Sequence, residues 1–154
     1  MPFQIHALPK EPFAPLFNLS DQQLTTKNAV RKIATGQGEP CRVSLKDATK
    51  GETLILSNYT HLEKQSPYRS SHAVYVREQA QQAEPEIDEV PELLRKRLIS
   101  LRGFGTDHMM KTADVSPGTA LAAEISKMFD DPDVAYIHLH NAREGCYHAR
   151  VIRA

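Results

Sequence analysis

The sequence predicts an α+β fold, mainly antiparallel sheet built from hairpins, with two principal helices. Short runs of alternating apolar and polar residues outnumber runs at helical spacing. The links between them are brief and rich in turn formers, which joins antiparallel neighbours. There is neither a long strand–helix alternation nor a glycine-rich phosphate loop to argue for a parallel sheet. The 154 residues are expected to form a single domain, with an extended N-terminal segment over 1–19 and an acidic loop or insertion over 78–92.

Phe3, Ile5 and Ala7 alternate with polar neighbours as a first strand. Pro9, Pro12 and Pro15 then oppose regular structure and favour an extended surface crossing. Ser20 and Asp21 can cap a helix over 21–34, in which Thr26, Ala29, Val30, Ile33 and Ala34 share a face and Gly36 ends it. Residues 41–45 and 53–57 flank the turn formers Asp47-Ala48-Thr49-Lys50-Gly51, which predicts a hairpin. Cys41 lies on its apolar side and reads as a buried small hydrophobe.

Ser66-Pro67-Tyr68-Arg69 is a turn, and residues 72–76 a strand. Residues 78–92 carry six acids and no base, and read as a solvated face, a short helix or a mobile insertion. Residues 91–96 make a helical turn into a strand over 98–102, which Gly103 and Gly105 end. A further strand spans 108–115. Ser116-Pro117 opens the clearest helix, whose stripe of Leu121, Ile125, Met128 and Phe129 faces a core and which Asp131-Pro132 stops.

The C-terminal stretch is where chemistry concentrates. Strands over 134–140 and 146–152 are joined by the loop 141–145. Paired residues share a face, and the pairing that gathers the apolar members sets Leu139 against Tyr147 and Ile137 against Ala149. That register brings His138, His140, His148 and Cys146 onto one polar face. Four such groups can hold a tetrahedral zinc ion, and Cys146 beside His140 is a thiol next to a base. Arg143 in the loop can hold a small anionic ligand. Against these stands the plain reading, in which the face is the solvent side of a half-covered sheet and the loop a turn. His6, His61, His72 and His108 are scattered and suggest no site of their own.

Nineteen basic residues balance nineteen acidic ones, so no nucleic-acid footprint is present, and no basic amphipathic segment or long apolar run addresses a membrane. The first residues lack the pattern of a secretory signal, and two cysteines do not build a disulfide framework; the expectation is a cytoplasmic protein with reduced thiols. Gly36-Gln37-Gly38 lacks the third glycine of a dinucleotide fingerprint, and no nucleophile elbow, His-Glu-x-x-His or Cys-x-x-Cys occurs. No motif names a cofactor, and whether the chain is an enzyme stays open.

Pro40-Cys41-Arg42 with Leu45, Gly51-Glu52, Ser66-Pro67-Tyr68, Leu101-Arg102-Gly103-Phe104, and Ala135-Tyr136-Ile137-His138 through Asn141-Ala142-Arg143-Glu144-Gly145-Cys146-Tyr147 resemble the bacterial family of domain of unknown function 1203. The likeness runs from about residue 20 to the C-terminus. Ser44 departs from the second cysteine of some members, and His72-Ala73 from a Gly-Pro. The resemblance implies a small bacterial single-domain protein and no mechanism. It singles out His138 and Cys146 as candidate reactive groups and Asn141, Arg143 and Tyr147 as candidate ligand-binding groups. The leading expectation is a small-molecule or catalytic pocket bordered by the C-terminal hairpin. The competing one is an interaction module, a homodimer for instance, using that face or the acidic segment.

Overall fold

The computed structural model describes all 154 residues. In chain order the elements are β1 (Phe3–His6), a 3-10 turn (Ala14–Asn18), α1 (Asp21–Thr26), β2 (Ala29–Ile33), β3 (Thr53–Leu62), β4 (Ser70–Arg77), α2 (Glu92–Arg95), β5 (Leu98–Phe104) and β6 (Met110–Pro117). A 3-10 turn (Gly118–Ala120), α3 (Leu121–Phe129), β7 (Tyr136–Asn141) and β8 (Tyr147–Arg153) follow. The class is α+β, with antiparallel strands in two sheets. No helix is long and apolar enough to cross a membrane. The chain divides into two compact units: residues 1–6, 60–72 and 84–154, and residues 7–59 with 73–83.

The first unit is built on the five-stranded sheet β1-β8-β7-β5-β6. The register aligns Ile5 with Val151, Val151 with Ile137 and Ile137 with Gly103, and sets Leu139 beside both Ala149 and Leu101. This face is buried, and α3 covers it: a Cβ on Gly103 would sit 3.0 Å from Met128 Sδ. The stripe Leu121, Ile125, Met128 and Phe129 is buried as its spacing predicts. Arg153 holds the helix end, donating to the carbonyls of Val134, Phe129 and Asp131 at 2.7, 3.0 and 3.0 Å with its guanidinium over the Phe129 ring. On the other face β7 presents Tyr136, His138 and His140 opposite Phe104, Arg102 and Ser100 of β5.

The start of α3 differs from its sequence signal. Ser116 and Pro117 belong to β6, and the Ser116 hydroxyl donates to the Pro117 carbonyl at 3.0 Å instead of capping. The chain then turns at Gly118, where a Cβ would lie 1.9 Å from the Leu94 carbonyl oxygen, so the approach of two backbones sets where the helix can begin. Residues 84–91 are irregular and tied to β1, with Phe3 and Asp88 exchanging hydrogen bonds at 3.0 and 2.9 Å and Gln4 donating to the Pro85 carbonyl at 3.1 Å.

In the second unit the helix over 21–34 is corrected. A capping box between Ser20 and Gln23 starts α1, but it ends at Thr26, Asn28 takes a left-handed φ of 54°, and the chain leaves as β2. Val30 and Ile33, expected on the buried face, are 55% and 64% exposed, because β-branched residues with pairing partners in β3 favour strand over helix. Leu24, Ala29 and Ile55 form the core there. The hairpin of 41–45 with 53–57 is corrected for the same reason: Thr53–Ser57 pairs with β2, while 41–45 winds through buried turns tied by bridges from Pro40 to Asp47 and Cys41 to Tyr75. The proline-rich crossing contains the 3-10 turn Ala14–Asn18 and is not extended throughout. Cys41 is buried as expected, its Sγ accepting from the backbone N–H of Ser44 and Arg77 at 3.4 and 3.3 Å.

Candidate metal centre

Strand alternation puts His138 and His140 on one face of β7, and that face is not the solvent side of the sheet. The two imidazoles are 3% and 1% exposed, covered by residues 60–72 of the same unit. The end of β3 brings His61 onto them, with Leu62 packed beside it in a buried cluster with Phe104 and Tyr136. The start of β4 adds Ser70 and His72.

His61 Nδ1 lies 3.4 Å from His138 Nδ1, and its ring centroid is 4.9 Å from that of His140. One ring nitrogen from each of His61, His138 and His140 falls within a set whose members are all within 4.8 Å of one another. On its far side His61 Nε2 is 2.8 Å from His72 Nδ1 and 3.1 Å from Ser70 Oγ. Tyr147 stacks on His61 at 4.9 Å and 10°, and its ring also meets those of His138 and His140 at 5.1 and 5.7 Å.

Burial dominates the electrostatics. It pushes the His140 pKa down to about 2, with the Gly145 carbonyl hydrogen bond opposing it and the charge of Arg102 reinforcing it. His138 falls to about 3 through burial, then His61, Arg150 and Arg102; His61 falls to about 4 through burial, then His72 and Arg102. All three are therefore neutral at pH 7, the state in which imidazole offers a lone pair to a metal.

The His140 tautomer follows from its partner. His140 Nδ1 donates to the Gly145 carbonyl at 2.9 Å, so its Nε2 carries the lone pair, and that atom is buried without a hydrogen-bond partner. His61 Nε2 meets His72 Nδ1 and Ser70 Oγ, which leaves its Nδ1 facing His138. A backbone carbonyl or a side chain holding the second nitrogen of a histidine is how proteins orient metal ligands. Tetrahedral zinc with Zn–N bonds of about 2.0–2.1 Å separates its nitrogen ligands by about 3.3–3.4 Å. The 3.4 Å between His61 and His138 matches that spacing.

Not every expected residue arrives. His138 and His140 do, and Tyr147 joins them. Cys146 and His148 stand outside the convergent set. The reason is register: Ile137 pairs with Val151 and Leu139 with Ala149, then a bulge sets His140 against Tyr147 and leaves His148 as the extra residue. The expected pairings of Leu139 with Tyr147, Ile137 with Ala149, His140 with Cys146 and His138 with His148 are thus corrected. Asn141 shapes the turn, its N–H donating to the Cys146 carbonyl at 2.8 Å and its Oδ1 accepting from the Arg143 N–H at 3.4 Å, and Arg143 is exposed.

The sequence reading missed His61, His72 and Arg102. Both histidines flank the turn at 66–69, and continuing the strand on each side of that turn would have placed them near one another. Arg102 had a signal too, as a cation in the alternation Ile99-Ser100-Leu101-Arg102 whose odd members are core. It is half-buried, directly paired with His138, and its Nε donates to Ser100 Oγ at 3.3 Å; it forms no ion pair.

Over residues 38–153 the chain matches the family described as protein of unknown function (DUF1203). No curated protein and no solved structure matches it.

Proposed function

The chain belongs to the family of proteins of unknown function DUF1203, and from the site its sheet builds we propose that it binds one divalent first-row metal ion, of the zinc class, through His61, His138 and His140. The observation that carries this is the buried His140 Nε2, a lone pair fixed by the Gly145 carbonyl and aimed at no protein donor. A buried polar atom left so costs about 1–3 kcal/mol, which a metal bond would offset.

Three imidazoles suit zinc, copper, nickel or iron, and the convergent set contains no carboxylate, which sets it apart from the two-histidine, one-carboxylate iron sites. Three protein ligands with a fourth position open is the arrangement of catalytic zinc, whereas structural zinc is closed by four. Bound there, the ion would act as a Lewis acid and lower the pKa of a water toward neutrality, the requirement for hydrolysis or hydration. The chain's own groups do the rest. The Gly145 carbonyl holds the His140 tautomer, His72 and Ser70 meet the far nitrogen of His61, and the Tyr147 ring stacks on the His61 imidazole.

Untagged protein dialysed against zinc should retain about one ion per chain, measured by plasma mass spectrometry and calorimetric titration. His61→Ala, His138→Ala and His140→Ala should each weaken binding at least about tenfold while circular dichroism stays that of the folded chain. Cys146→Ala should leave it unchanged. Retention of zinc by the three histidine variants, or its loss in Cys146→Ala, would overturn the assignment.

A further inference from the structure

We propose that the fourth position takes an oxyanion group of the substrate, a phosphate or a carboxylate, with Arg102 as its anchor. This deepens the metal reading and rests on it.

Charge favours an anion at this position. Three neutral imidazoles leave a divalent ion with its full charge, and no Asp or Glu joins the convergent set. Around it stand further cations. Arg102 of β5 and Arg150 of β8 are the direct neighbours of His138 on either side. Arg102 Nε reaches Ser100 Oγ at 3.3 Å, and Ser100 is the direct partner of His140, so the Arg102 side chain runs along the face that carries His138 and His140. Arg150 is spoken for in part, lying 4.6 Å over the Tyr136 ring. Arg102 is half-buried, with one hydrogen bond, from Nε to Ser100 Oγ, and no carboxylate in an ion pair with it.

A half-buried guanidinium beside a cation site is unfavourable until an anion arrives. An oxyanion answers both needs: one oxygen can complete the metal's tetrahedron while another accepts from the terminal N–H groups of Arg102. Guanidinium presents a planar fork that matches phosphate or carboxylate, which a point charge does not. Arg143, the loop residue first expected to hold an anion, is exposed and does not serve here.

Cobalt(II) reports on this directly, since its visible spectrum changes when a ligand enters its first coordination sphere. The cobalt-loaded protein would be titrated with inorganic phosphate and, separately, acetate. The expected result is a saturable spectral change with at least one of them. Arg102→Gln should raise that dissociation constant at least tenfold, Arg102→Lys should recover only part of it, and cobalt should bind Arg102→Gln as tightly as the wild type or more so. Stronger response to phosphate assigns phosphoryl substrates; stronger response to acetate assigns carboxylates. Cobalt bound with neither anion altering the spectrum, or equal anion affinity in Arg102→Gln, overturns this inference and leaves the metal site standing. No cobalt bound by the wild type overturns both.

Discussion

Acidifying the metal-free protein should cost it about 3–4 kcal/mol of stability between about pH 7.5 and about pH 5.5. A histidine whose folded pKa is depressed stays neutral in the fold, while the unfolded chain takes up a proton near the ordinary value of 6.5. The stability it supports is complete above 6.5 and is lost as pH falls toward the folded pKa. Those values are about 4, 3 and 2 for His61, His138 and His140, so at about pH 5.5 all three are neutral in the fold and mostly charged in the unfolded chain. Linkage gives on the order of 1 kcal/mol for each over that interval, with His61, the most exposed of the three, contributing least. Urea unfolding in the presence of a chelator, followed by circular dichroism, should show the midpoint falling by about 1.5–2.5 M if the urea dependence is about 1.5–2 kcal/mol per M. His140→Gln should remove on the order of 1 kcal/mol of the difference between the two pH values, whatever it costs at either. A midpoint that holds or rises on acidification, or the same pH dependence in His140→Gln, would refute the reasoning.

Zinc at a hundredfold excess over its dissociation constant should raise the stability at neutral pH by about 2.7 kcal/mol, read as a shift in the urea midpoint that a chelator reverses. Gly118→Ala should be among the most damaging single changes, by about 3 kcal/mol or more, since the new Cβ would meet the Leu94 carbonyl and the Arg95 backbone; thermal unfolding will show it. Arg153→Ala should lower stability by about 2–3 kcal/mol through three carbonyls left without their donor and a ring without its cation, with α3 exchanging amide hydrogens faster. Gly145→Ala, at a φ of 80°, should cost about 1 kcal/mol and weaken zinc binding, because the same turn presents the carbonyl that holds His140.

Where the sequence reading succeeded, a short period was enforced by burial. The stripe of α3, the strand β1 and the two strands of the C-terminal hairpin all follow from spacing alone, and so does the pairing of His138 with His140 on one face. It failed where partners are distant in the chain. Val30 and Ile33 fit a helical spacing as well as a strand, and their partners in β3, Leu56 and Thr53, far along the chain, decide between them. A single bulge, invisible to parity, exchanged Tyr147 for Cys146 and His148 beside the imidazoles. Half of the site was therefore legible, as His138, His140 and Tyr147. The other half, His61, His72 and Arg102, reaches it across two further strand pairings.

X-ray absorption of the zinc-loaded protein tests the central claim most directly. The expected result is a first shell of nitrogen and oxygen at about 2.0–2.1 Å, with the outer-shell signature of three imidazoles and no sulfur. A sulfur scatterer at about 2.3 Å, placing Cys146 on the ion, or fewer than three imidazoles, would contradict it.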